Sequence, residues 1–505
     1  MNRSKQSSSL RLLVLAVLCV LSPLSCDDGP GTGSGDGGSD SDSDADGDTD
    51  TIPTDCEGAD TFDPGACPAI AAGDAMVRYV DADAATGGDG KSWATAFDRV
   101  QPAIDSCECA ALANGATCEA WVAAGDYPVY TFCRTDAVRL RPDVALYGGF
   151  AGGETSLDQR DFEANVTTLD GGGVVYNVTI GSDDAIIDGF TITGGHYGGY
   201  DNPFTYGGGM HNVSASPTVR HCAFEGNDAR VGGGMYNEDS APIVEDSVFR
   251  GNVSNSGENT GGGGGMYNEA SSPTVTRCAF LDNGASLDGG GMANDDLSSP
   301  IVTSCRFEGN SSDWSSGGGM SSGGGAPIVT NCVFVGNDAY SGGGMYVGGS
   351  YNDSDSVTIL SSTFFGNTAD VGGGLANTGS STAIRNSVLW GNTADTEGAD
   401  LWNAPADTDG WTGDTDGGSA MIDYSDIAGG CASIAGATCG DGNLDADPLF
   451  ASTDTDATID LHLQAGSPCI DTGLTSALPE GVTTDVDGNA RVVGASVDMG
   501  AYETQ

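Results

Sequence analysis

Positive charge is what this chain has least of. Its 505 residues hold 17 lysines and arginines against 72 aspartates and glutamates, a formal net charge of -55. Lys5 and Lys91 are the only lysines. A field of that sign repels phosphate backbones and anionic headgroups, which argues against nucleic acid as a partner. Long apolar runs are missing too: none reaches the ~20 residues of a membrane-spanning helix. The four histidines stand at 196, 211, 221 and 462, and no Cys-x-x-Cys occurs, so zinc-site spacing is absent. With 18 prolines and no three-residue glycine period, collagen is excluded as well. Glycine itself is abundant, at 81 residues, about twice its usual share of ~7%.

The chain opens like an export signal. Arg3, Lys5 and Arg11 form a basic front, and Leu12 to Leu21 is an apolar stretch suited to a signal core but too short to cross a bilayer. Pro23-Leu24-Ser25-Cys26 then resembles a bacterial lipobox, with Pro23 where that family prefers leucine. The resemblance implies a signal peptide over 1–26 and lipidation of Cys26, hence a membrane anchor; the alternative is an ordinary cleaved signal. Residues 27–55 are almost wholly Asp, Gly, Ser and Thr, with nothing apolar to offset chain entropy, so an extended, disordered linker is expected. Asp42, Asp44 and Asp46 match the opening of an EF-hand calcium loop, but Pro53 stands where its bidentate glutamate belongs. Asp407 to Asp416, and Asp485 with Asp487, are further weak calcium candidates, and calcium is the one cofactor the acidic runs suggest.

The middle of the chain repeats. Gly-Gly-Gly-Met ends at Met210, Met235, Met266, Met292, Met320 and Met345, with a leucine version at Leu375. Between these motifs come β-branched runs such as Pro217-Thr218-Val219 and Pro242-Ile243-Val244, then Phe-x-x-Asn turns. The turns run from Phe224–Asn227 through Phe249, Phe280, Phe307, Phe334 and Phe364, closing with Leu389–Asn392. No helical period is present, and two-residue alternation puts Cys222 with Phe224 on one face. A unit this short cannot bury its own apolar face, so units must stack into columns of Phe on Phe and Cys on Cys. The fold class expected is all-β: a parallel β-helix of roughly ten coils with N- and C-terminal caps. Its expected parts are a Cys-rich cap and entry strands over 56–135, repeats over 136–400 and a capping module over 401–505. Longer spacings predict protruding corner loops around Asn252 to Thr260 and Gly348 to Asp355.

The Phe-x-x-Asn and Gly-Gly-x-apolar pairing resembles the repeats of chlamydial polymorphic outer-membrane proteins and related right-handed β-helices of the pectin-lyase-like superfold, with Gly-Gly-Gly-Met in place of Gly-Gly-Ala-Ile. Asp188 to Gly195 resembles an early coil of such proteins. Tyr79-Val80-Asp81-Ala82 with Gly90 to Phe97 resembles their entry strand. Asp447-Pro448-Leu449-Phe450, Gly466 to Asp471 and Asp498 to Glu503 resemble a C-terminal module of bacterial surface β-helices. The resemblance spans residues 76–505. It implies adhesion or surface display, with a glycan or a cell-surface protein as partner and the outer membrane or cell surface as location, or secretion. The superfold also holds enzymes that cleave acidic polysaccharides, which is the alternative. Of their motifs only Asp-Asp recurs, at Asp183-Asp184 and Asp295-Asp296, and the acidic balance disfavours a polyuronate. No catalytic residue is nominated.

Cys56, Cys67, Cys107, Cys109, Cys118 and Cys133 cluster near the N-terminus, and Cys431 with Cys439 closes a short loop. In an exported chain these read as disulfides of open connectivity. Cys222, Cys278, Cys305 and Cys332 share a slot with Ser247 and Ser362, so buried thiols are expected there rather than bridges.

Overall fold

A computed structural model describes residues 62–63, 67, 76–198, 206–255, 261–349, 355–404, 417–454 and 459–505. Residues 1–26 with Cys26, the linker with Asp42, Asp44 and Asp46, Cys56, and Asp407 to Asp416 lie outside these.

Each coil consists of four short strands: one led by Met, one centred on Val, one centred on Phe, and a short one after Asn. Successive coils pair in parallel and in register, Met210 on Met235, Val219 on Val244, Phe224 on Phe249 and Asp228 on Val253. The Val strands build a 13-stranded sheet, the Phe strands an 11-stranded one, the Met strands a 10-stranded one and the short strands a 7-stranded one. Among the described residues the single antiparallel pair of strands is Phe450–Ser452 with Asp460–Leu463, and an isolated antiparallel bridge joins Thr484 to Ala490.

The interior is a bundle of columns. Phe224, Phe249, Phe280, Phe307, Phe334 and Phe364 stack with ring centroids 4.5 to 4.8 Å apart. Each is fully buried, as are the six repeat methionines and Leu375. Beside them Asn227, Asn252, Asn283, Asn310, Asn337, Asn367 and Asn392 form an amide ladder, each Nδ2 donating to the Oδ1 of the next at 2.8 to 3.0 Å. Asn392 ends the ladder on the Oδ1 of Asp400 at 2.8 Å. A second ladder, which the turn motif does not announce, links Asn212, Asn237, Asn268 and Asn294 on the Met strands. Within each ladder, repetition thus pairs a buried amide with the same group one coil on.

The glycine triplet serves two needs. Gly232 turns the corner at φ +67, while a Cβ on Gly234 would lie 2.4 Å from the carbonyl oxygen of Gly265. Cys222, Cys278, Cys305 and Cys332 are free and buried, as their shared slot predicts. Burial pushes the Cys222 thiol up to about 12, so it stays protonated.

The N-terminal region holds an α-helix that the sequence reading does not anticipate. Helix α1, Val100–Asn114, closes the first coil with Val100, Ala103, Ile104, Cys107, Ala110 and Ala111 buried, and ends at Gly115 in the left-handed region. Those positions follow a helical period that the flanking strand signals obscure. Disulfides Cys107–Cys118 and Cys67–Cys109 pin α1, and Cys133 is also bridged.

The solenoid does not stop at residue 400. Leu401–Asn403, Ser419–Asp423, Asp426–Ile427 and Ala437–Cys439 still add strands. The loop closed by Cys431–Cys439 places Cys431 in the core, with Ile434 and Ala437 against it. The last segment, from Asp445 onward, is laid along the outside of the Phe strands: Phe450, Leu461, Cys469, Met499, Ala501 and Tyr502 pack on Val333, Val335, Phe365 and Val388. The sequence predicts a cap over 401–505, and this segment instead covers a side of the solenoid.

Candidate functional site: an uncovered strip on the Phe-strand face

The outer surface of the Phe strands is covered at both ends and open between. At its C-terminal end the last segment docks onto residues at the corner between Val and Phe strands. Asn331 donates to the carbonyl of Thr484 at 2.8 Å and accepts from Arg491 at 3.1 Å. Asn386 pairs with the backbone of Leu474 through both amide atoms. Both asparagines have positive φ, which turns them outward from the coil. At the N-terminal end, Phe162 and Val166 lean over the same surface beside Thr167, Thr191 and Ala223. Thr191, Ala223, Val248 and Ala279 form the half-buried floor between, a distance of about 14 Å at one coil per ~4.8 Å.

In this open stretch the same outward corner is occupied by His221 and Asp246, followed by Arg277, all with positive φ. His221 Nδ1 lies 2.9 Å from Asp188 Oδ1, and Arg160 Nη2 lies 2.7 Å from the same oxygen. Asp188 is buried, and its carboxylate is met by the Arg160 guanidinium and by the His221 ring. Because a carboxylate only accepts, Nδ1 carries the proton and Nε2 is left as an acceptor. The imidazole stacks on Phe162, centroids 4.6 Å apart. Arg160 also lies over the rings of Tyr147 and Phe162. Arg277 grips Asp246 through two bonds of 2.6 and 2.7 Å; these, with its charge, hold the Asp246 carboxyl below its usual range. Together His221, Phe162, Asp246 and the floor residues Thr191, Ala223 and Val248 line a cleft of about 230 Å³. At Gly189 a side chain would crowd Arg160 and Phe162 at 3.1 Å, and φ is +84.

The other acids singled out by sequence are placed elsewhere. Asp183 accepts from the Ser216 amide, while Asp184 and Asp296 sit in left-handed turns. Asp295 accepts the Tyr267 hydroxyl at 2.6 Å. Asp485 is buried and receives the backbone amides of Asp487, Asn489 and Glu503. Asp487 instead meets His462 Nε2 at 2.8 Å, and Asp460 meets its Nδ1 at 2.6 Å. Burial alone would lower the His462 pKa, but the two carboxylates raise it. Asp485 and Asp487 therefore have separate duties, and among the described residues no group of three or more His, Cys, Asp or Glu is arranged to hold a metal. On the Met-strand face Tyr206, Tyr236 and Tyr267 stack on one another, with the Tyr236 hydroxyl on Glu269 at 2.5 Å.

Sequence reading passes over His221 and Asp188 as a pair. The signal is present: the residue just before each Cys or Ser slot is the outward corner, and aligning the coils there sets His221 beside Gly189, next to Asp188.

Residues 207–389 match the family model described as right handed beta helix region. No curated protein matches the chain. Among solved structures it is similar to the pectate lyase Pel9A, at 11% identity over 85% of this chain and 96% of that one, with a TM-score of 0.41. The Dettilon tailspike protein is similar at 11% identity over 72% and 66%, TM-score 0.38. The A-module of Azotobacter vinelandii mannuronan C-5 epimerase AlgE4 is similar at 14% identity over 73% and 95%, TM-score 0.31.

Proposed function

Because the chain is a right-handed parallel β-helix protein, we propose that it is a cell-surface binding scaffold, tethered by lipid on Cys26, whose ligand docks on the open strip of the Phe-strand face. The observation that carries this reading is the outward corner. Where the chain covers its own surface, that column supplies the docking handles Asn331 and Asn386. Where the surface is open, it supplies His221, Asp246 and Arg277. The ligand is a glycan or a cell-surface protein. A second reading, a carbohydrate-active enzyme, draws on the Asp188–His221 pair, since a carboxylate that orients an imidazole is an acid–base arrangement. Glycan-array binding of the full chain, with and without calcium, followed by a product assay on any hit, separates the two. Retention of intact glycan supports the scaffold; new reducing ends or a 4,5-unsaturated product supports the enzyme. Replacing Cys26 by Ser should release the protein into the medium if the anchor is lipid, and leave its partition unchanged if it is not.

A further inference from the structure

We infer that the cleft between Phe162 and Asp246 takes an uncharged, hydroxyl-rich sugar; this rests on the strip being the docking surface. Charge decides the class. The molecule as a whole carries -55 and repels polyanions at a distance. Inside the strip, however, the charges are matched. Arg160 answers Asp188, Arg277 answers Asp246, and Arg250 answers Glu225 at 2.9 Å. A cation finds no unmatched carboxylate there, and an anion finds no spare guanidinium. What the cleft does offer is polar atoms fixed in place. His221 Nε2 is an acceptor held by Asp188, and Asp246 presents a carboxylate whose lone pairs are only partly used by Arg277. These suit hydroxyl donors on neighbouring carbons. Phe162, its ring lying against His221 and Arg160, lines the cleft as an apolar wall, and Gly189 and Ala223 keep the floor low enough for a flat ring to approach.

The test is calorimetric titration of the full chain with cellotetraose, mannotetraose, tetragalacturonate and a chitosan tetramer, repeated on Phe162→Ala, His221→Ala and the milder His221→Gln. Thermal melts matching the unaltered protein show that each variant folds. We expect one of the neutral tetrasaccharides to bind, with at least a tenfold loss in Phe162→Ala and His221→Ala and a smaller loss in His221→Gln, which keeps an acceptor. Preferential binding of tetragalacturonate or the chitosan tetramer, with the same dependence on Phe162 and His221, would overturn the sugar class and leave the strip. Neutral binding indifferent to both residues would overturn the site. No binding by any of the four would overturn the sugar inference alone, because docking on the strip is tested separately by blocking its floor at Ala223 in a Cys26→Ser chain, which no lipid holds, and measuring its retention on the cell surface.

Discussion

In the coils from Asn227 to Asn392 the asparagines of the turn ladder bond to the next copy of themselves, whereas residues 445–505 rely on contacts that occur once. Asn283 donates to Asn310 as Asn310 donates to Asn337. In the last segment a single buried arginine, Arg491, meets Glu503 at 2.7 Å, Asn331 at 3.1 Å and the carbonyls of Asp498 and Gly500. Periodicity shares out the cost of burying amides, so any one rung has neighbours of the same kind on either side. The aperiodic segment concentrates its attachment in a few groups. The same difference explains why one stretch of the surface is left uncovered: periodic coils present an even outer surface, and only an added, non-repeating segment covers part of it.

The sharpest break of the periodic side is Phe280→Ala. It removes the middle of the ring stack and should cost about 4 kcal/mol, read as a lower midpoint in denaturant for the whole solenoid. On the aperiodic side, Glu503→Gln leaves the Arg491 charge buried without its partner and should cost about 3 kcal/mol. That loss should appear as faster hydrogen exchange and proteolysis within 445–505, with the exchange of the coil strands unchanged. Should both variants unfold the molecule as one unit, the two regions are not separable in the way described.

The end of the amide ladder, at Asp400, sharpens the periodic side. Burial raises its pKa from 3.8 to about 6, although it accepts two bonds from Asn392. A carboxyl raised in the folded state binds its proton more tightly there than when unfolded. Stability is therefore highest below about pH 4 for this group and falls as pH rises through 6. Asp400→Asn continues the amide ladder without charge and should stabilise the protein at pH 7.5, by on the order of 2 kcal/mol. The gain should vanish near pH 4, as followed by melting temperature across that range. The smallest effect is expected for Cys278→Ser. Ser247 and Ser362 already fill that slot, so the change should stay within about 1 kcal/mol in chemical denaturation.

The fold was legible because columns leave a trace in sequence. Phe224, Phe249 and Phe280 recur at coil spacing, and parallel stacking is the one arrangement that buries them all. Helix α1 left a weaker trace: Val100, Ile104, Cys107 and Ala111 do follow a helical period, but only once, with nothing to repeat it. The lateral course of residues 445–505 was not legible, since the handles Asn331 and Asn386 look like any other polar corner residue until Thr484 and Leu474 arrive from far along the chain. The candidate site lies between these extremes. Asp188 and His221 are one coil apart and could be paired by alignment, whereas Phe162, which completes the cleft, comes from a segment outside the repeat.

The most direct test of the open strip as docking surface is to fill it. Ala223→Trp places an indole on the floor between Thr191 and Val248, and Thr303→Trp places one on the neighbouring Val-strand face as a control. With Cys26→Ser in every chain so that no lipid holds it, retention on the glycan or cell surface that holds the otherwise unaltered chain should fall at least about tenfold for Ala223→Trp and stay level for Thr303→Trp. Equal retention of the two variants would contradict the account.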